Sequence, residues 1–150
     1  TVQMQLAQTS VEEAQLITVR NTTFTVPAGA VGVVATQDQF FDKPVRVFAL
    51  FPHMHFLGKS VSVSKYSGPN TDLLIDIPHW QFPWQGDYLL ETPVDFAPGD
   101  KLQVRCVFDN SAANQPYVRG QQQQPKTVGW GDGALDEMCL AYVYLVPQQQ

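Results

Sequence analysis

Residues 45–66 read VRVFALFPHMHFLGKSVSVSKY, and the rest of the chain follows from how this stretch is taken. Apolar and polar residues alternate at both ends, as Val45-Arg46-Val47 and as Val61-Ser62-Val63-Ser64. A period of two sends successive side chains to opposite faces of a strand, so each end predicts a strand with β-branched residues on its buried face. The pattern recurs along the chain and predicts strands at 2–7, 15–20, 31–37, 45–51, 60–66, 72–77, 87–92, 101–108 and 138–146. No segment shows a capped stripe of helical period. Turn chemistry separates the strands, in Pro27-Ala28-Gly29, Ser67-Gly68-Pro69-Asn70, Ala97-Pro98-Gly99-Asp100 and Asp109-Asn110-Ser111. The fold class is therefore all-β: an antiparallel β-sandwich, jelly-roll-like, of about eight or nine strands. The polar segment 111–126, with its Gln121–Gln124 run, reads as one long loop.

Composition narrows the setting. The 150 residues fit one domain, and 44% hydrophobic content furnishes a core. A net charge of -5 with nine scattered Lys and Arg argues against nucleic acid as a partner, because phosphate contacts need clustered cations. No run approaches the roughly 18 apolar residues of a membrane span, and the opening TVQMQLAQ lacks the regions of a signal peptide. The chain opens without Met, so a soluble piece of a longer polypeptide is expected. Residues 1–14 read as a strand or linker from a preceding region, 15–147 as the sandwich, and 148–150 as a frayed tail.

Two of the three histidines, His53 and His55, interrupt the apolar run of the opening stretch. At spacing i, i+2 on a strand they share one face while Met54 takes the other. Two explanations stand: neutral imidazoles converging on a metal, or core-edge histidines satisfied by the backbone. Candidate third ligands are His79 and Met138. Histidine with methionine favours Cu(I), whereas histidine with carboxylates favours zinc or iron. Spacing does not choose among them.

Cys106 and Cys139 lie 33 positions apart without CxxC spacing. One disulfide between their strands is the simplest reading, and two buried thiols in a cytosolic domain is the other. Gly129-Trp130-Gly131-Asp132-Gly133 opens no helix and reads as a turn rather than a phosphate cradle. No Gly-x-Ser-x-Gly elbow occurs. Asn21-Thr22-Thr23 matches a glycosylation acceptor, relevant only in a eukaryotic secretory host. The aromatics Phe51, Phe56, Trp80, Phe82 and Trp84 are assigned to the core rather than to a pocket, since packing is their usual role.

An ordered set of motifs carries a resemblance: His53-Met54-His55 with Leu57-Gly58-Lys59, then Pro98-Gly99-Asp100, Arg105-Cys106-Val107-Phe108, and Asp136-Glu137-Met138-Cys139 with Tyr142. It resembles the C-terminal domain of the copper type II, ascorbate-dependent monooxygenases, the family of peptidylglycine α-hydroxylating monooxygenase and dopamine β-monooxygenase. Trp80-Gln81-Phe82-Pro83-Trp84-Gln85 and Asp109-Asn110-Ser111 are more similar to bacterial members. The resemblance implies one copper per chain, cycling between Cu(I) and Cu(II), on His53, His55 and Met138, and a Cys106–Cys139 disulfide. It implies dioxygen and a small organic or peptide substrate as partners, ascorbate as external reductant, and a preceding copper domain in the parent polypeptide. It further implies a periplasmic or secreted location, a possible substrate contact at Tyr142, and no role for His79 as a ligand. Phe51-Pro52 stands where the peptide hydroxylase has a basic residue, and Leu140 where it has a polar contact, so a peptidyl-glycine substrate is not expected. Three functions follow in order: the oxygen-activating half of a hydroxylase, unable to turn over alone; a copper-capture or electron-transfer module; and a structural sandwich with an unused site.

Overall fold

The computed structural model describes residue 3 and residues 13–148. Eight long strands are β1 (Gln15–Asn21), β2 (Val31–Phe40), β3 (Val45–His53), β4 (Gly58–Ser67), β5 (Asn70–Ile77), β6 (Tyr88–Phe96), β7 (Lys101–Asp109) and β8 (Cys139–Pro147). They form two four-stranded antiparallel sheets, ordered β1-β8-β3-β6 and β2-β7-β4-β5. First strand beside last, with sequence neighbours exchanged between the sheets, is the jelly-roll arrangement.

Alternation decides which side chains fill the space between the sheets. Val19, Val47, Leu50, Val143 and Leu145 from one sheet meet Ala35, Val61, Val63, Leu102, Val104 and Phe108 from the other, all buried. Burying each aliphatic side chain stabilises the fold by roughly 1.5–3 kcal/mol. Cys106 on β7 and Cys139 at the start of β8 form a disulfide that joins the two sheets through this core. At the opposite end, Ala97-Pro98-Gly99-Asp100 makes the expected tight turn: Asp100 N–H donates to Ala97 O at 3.0 Å, and Gly99 takes the positive φ of 92° that a type II turn requires.

Some expectations change. The segment 111–126 is not one loop. It contains a 3-10 turn (Ala112–Asn114) and a hairpin pairing Tyr117–Val118 with Gln121–Gln122, whose two-residue turn puts Arg119 and Gly120 at φ 51° and 80°. Buried Asn110 ties this region down, its amide nitrogen donating to the carbonyls of Val26, Pro27 and Lys126. A further short pair joins Thr25–Val26 to Val128–Gly129. β6 runs to Phe96 because an irregularity opposite Val47 and Ala49 accommodates Pro93, which cannot donate to a regular ladder. The expected strand 2–7 lies, apart from Gln3, outside the described residues, as do the last two residues of the expected tail. Gln148, the first residue of that tail, donates its N–H to Pro44 O at 3.0 Å.

Candidate metal centre

β3 carries Phe51 and His53 on the outer face of its sheet, away from the core. The chain then leaves the strand, Met54 drops into the core with no exposure, and His55 returns to the same side as His53. The two imidazole rings stand edge to face with centroids 5.0 Å apart. His53 pairs across the ladder with Leu140, so the strand register continued by two residues sets half-buried Met138 beside the turn of His55.

Each ring is oriented through one nitrogen. His53 Nδ1 is hydrogen-bonded to Gln85 Oε1, and His55 Nδ1 to the backbone oxygen of Asp136 at 3.1 Å. A carbonyl oxygen accepts only, so each Nδ1 carries the proton and each Nε2 keeps a free lone pair. This is the outer-shell pattern that fixes a metal-binding histidine. Burial, followed by the neighbouring His55 charge and against the Gln85 hydrogen bond, holds the His53 pKa below its ordinary value, which favours the neutral ligand form.

Beneath the rings lies Glu137, a carboxylate with no exposure. Its Oε2 accepts the backbone N–H of His55 at 3.0 Å and of Met138 at 3.3 Å, and its Oε1 accepts that of Leu57 at 2.6 Å. One side chain thereby joins the histidine loop to the approach of β8. Burial pushes its pKa up to about 7, opposed by the three N–H donors.

The glycine-rich turn supplies the approach. A Cβ at Gly131 would fall 2.5 Å from the Asp136 carboxylate, and one at Gly133 would fall 2.8 Å from it. Glycines at both positions let 129–137 close tightly, with Glu137 N–H on Gly129 O at 3.0 Å. Trp80 braces the other flank, its Nε1–H donating to His55 O at 3.0 Å, and Gly58 leaves room for its ring.

Of the aromatics assigned to the core, only Trp80 is buried. Phe51, Phe56 and Phe82 are half-buried around the histidines, with Phe82 edge-on to His55 at 5.7 Å, and Trp84 is 82% exposed. They form a rim, not a core, because the strand end turns its outer face toward the 3-10 turn Phe82–Trp84. Tyr142 lies on that outer face, edge-on to Phe51 at 5.9 Å. His79 is exposed in the turn after β5.

Among the described residues no group of three or more His, Cys, Asp or Glu side chains is arranged to hold a metal. The register sets Met138 beside the two imidazoles' loop, and two imidazoles with a thioether would make a soft set suited to Cu(I). Sequence reasoning missed Gln85, Asp136, Glu137 and Trp80. Glu137 left a signal: it shares the inward phase of Cys139, Ala141 and Val143, where an unpartnered charge is not tolerated.

The family described as copper type II ascorbate-dependent monooxygenase, C-terminal domain, matches residues 3–150. The chain is 31% identical over 107 residues to dopamine beta-hydroxylase of Bos taurus, covering 71% of this chain and 16% of that protein. It is 28% identical over 110 residues to tyramine beta-hydroxylase of Caenorhabditis briggsae, covering 73% and 17%. It is 35% identical over 100 residues to peptidyl-glycine alpha-amidating monooxygenase of Mus musculus, covering 67% and 9%. The chain thus spans less than a fifth of the length of these relatives.

Proposed function

Because the chain belongs to the copper type II ascorbate-dependent monooxygenase family through that family's C-terminal domain, we propose that it holds one copper ion on His53, His55 and Met138 and forms the oxygen-activating half of a C–H hydroxylase. The observation that carries this is the pair of rings 5.0 Å apart, each with Nδ1 engaged by a carbonyl oxygen and Nε2 free, and the strand register, continued, brings Met138 level with His55.

Copper bound here would supply one-electron redox chemistry and an open position for dioxygen, with the thioether favouring the reduced state. The protein's part is positional. Gln85 and Asp136 O fix the ring tautomers, and Glu137 and Trp80 hold the His55 loop against the start of β8. Phe51, Phe56 and Phe82 restrict water around the rings.

Hydroxylation by dioxygen consumes two electrons, and one Cu(I)/Cu(II) cycle supplies one. The second comes from a preceding copper domain in the parent polypeptide, with ascorbate as the external reductant. This chain alone therefore supports no coupled turnover. The substrate is a small organic molecule or peptide. The names of the relatives carry dopamine, tyramine and a peptidyl-glycine; Phe51 and Leu140 themselves offer no cation to a peptide carboxylate. The disulfide suits an oxidising compartment, periplasmic or secreted.

Metal content and Cu(I) affinity of His53→Ala, His55→Ala, Met138→Leu and His79→Ala chains test the assignment. The first two lose copper, Met138→Leu weakens it more mildly, and His79→Ala keeps it. Loss in His79→Ala with retention in Met138→Leu would move the site to an all-histidine centre.

A further inference from the structure

A cavity of about 100 Å³ lies behind the histidine loop, between the 111–126 segment and the glycine-rich 129–137 turn. Phe56, Leu57, Val128 and Leu135 give it apolar walls, and Gln115, Lys126 and Asp136 add polar groups to the lining. Asp136 is shared with the histidine pair: its backbone oxygen is bonded to His55 Nδ1 at 3.1 Å, while its residue also borders the cavity. Glu137 lines the space as well, but both of its oxygens are already engaged by backbone N–H groups.

Two acceptors on this lining lack a donor. Asn110 sends its amide nitrogen to the carbonyls of Val26, Pro27 and Lys126, so its Oδ1 is left to accept. Gln115 must therefore meet that oxygen with its own nitrogen, which donates to Asn110 Oδ1 at 2.9 Å and to Ser111 O at 3.2 Å. This fixes the orientation of the Gln115 amide and leaves its Oε1 without a donor among the described residues, on a residue only 7% exposed. No sealed side-chain oxygen or nitrogen of the described residues lacks a hydrogen bond, so Oε1 is open, and the cavity is the space it opens on. The second acceptor is the half-buried Asp136 carboxylate, which forms no ion pair among the described residues.

A ligand that fits supplies donors to these two oxygens and an apolar body to the walls. A charged head is disfavoured, because a cation would lose its water beside Lys126 and an anion beside Asp136 and Glu137. A hydroxyl group loses less on burial, donates to either acceptor and accepts from the Lys126 ammonium. We propose that this cavity is a binding site, separate from the metal centre, for a small neutral molecule with adjacent hydroxyl groups on a compact hydrocarbon frame, the vicinal-diol chemistry of polyols and sugars. The proposal goes beyond the copper reading and does not rest on it.

The test is titration of the full, metal-free chain with cis-cyclohexane-1,2-diol, its monomethyl and dimethyl ethers, and protonated 2-aminocyclohexanol, followed by nuclear magnetic resonance. The probes share a ring and differ in donors and charge. The diol is expected to bind about tenfold more tightly than the dimethyl ether, with the monomethyl ether between them. The ammonium probe binds more weakly than the diol, and the shifts centre on the Gln115 side-chain amide and the Val128 and Leu135 methyls. Gln115→Met and Asp136→Asn each reduce the advantage of the diol to about threefold or less, an effect that a merely steric order of the probes would not show. Because Gln115→Met also deprives Asn110 of its donor, Ala134→Trp carries the test beside it: this exposed lining residue, enlarged, blocks the cavity and abolishes binding. Asp42→Asn, exposed beside the turn at the opposite end of the sandwich, changes nothing. Equal binding of diol and dimethyl ether, tighter binding of the ammonium probe, shifts centred elsewhere, or full binding in Ala134→Trp overturns the proposal. Diol binding in a chain that takes up no copper supports the cavity and counts against the copper site alone, whereas its absence in a chain that loads copper normally overturns the cavity alone.

Discussion

Glu137 Oε2 stands 3.0 Å from the backbone nitrogen of His55, so a buried carboxylate more than 80 positions away in sequence sets where the histidine loop rests. An amide in its place keeps the shape but turns a donor toward one of three N–H groups. Glu137→Gln is expected to cost about 1–3 kcal/mol of stability and to weaken copper binding by about 10–100-fold. Urea unfolding and Cu(I) competition measure the two effects, and native values for both would remove the carboxylate from the account.

The bridge between the sheets closes a sequence separation of 33 residues. Restricting the unfolded chain to that extent stabilises the fold by roughly 3–4 kcal/mol in the chain-entropy model. A Cys106→Ser, Cys139→Ser double variant should unfold at correspondingly lower urea, and mass spectrometry of the untreated chain should find both thiols blocked.

Turn closure at the glycine-rich segment is a separate prediction. Gly131→Ala places a methyl 2.5 Å from the Asp136 carboxylate, so the 129–137 turn has to open. A loss of about 1–3 kcal/mol is expected, and the His55 ring resonances should shift because Asp136 O is the acceptor of its Nδ1–H. Unshifted histidine resonances would disconnect the turn from the site.

Acid stability should depend on Asp100. Burial raises its pKa, but hydrogen bonds from Ser67, the Ala97 N–H and Lys65 outweigh that and leave the folded value below the ordinary 3.8. As pH falls, the unfolded chain binds this proton first. The contribution of Asp100 is therefore complete above about pH 4 and is lost as pH drops through the folded value. Its Oδ2 lies 3.2 Å from Lys65 Nζ in a largely buried pair. Asp100→Asn should cost about 2–3 kcal/mol at pH 7 and progressively less toward pH 2, as followed by thermal unfolding.

Much of this architecture was legible because alternation is a local property. Val61-Ser62-Val63-Ser64 announces its own inward face, and His53 and His55 announce a shared side by their spacing alone. Phe51 shares the outer phase of His53, so the same argument would have kept it out of the core; the usual packing role of aromatics overrode it. Glu137 was legible by phase but went unread. Gln85 was not legible, because its partner His53 depends on the register between β3 and β6, which no spacing within one strand encodes. Tyr117–Val118 and Gln121–Gln122 form a hairpin because Arg119 accepts a left-handed backbone, a conformation rarely expected outside Gly, Asn and Asp.

The most direct measurement of the central claim is X-ray absorption at the copper edge on the Cu(I)-loaded chain, with Met138→Leu beside it. The account predicts one copper with two imidazole nitrogens and one sulfur, and a sulfur contribution that disappears in Met138→Leu. A centre coordinated by nitrogen or oxygen alone, or a sulfur signal that persists without Met138, would contradict it.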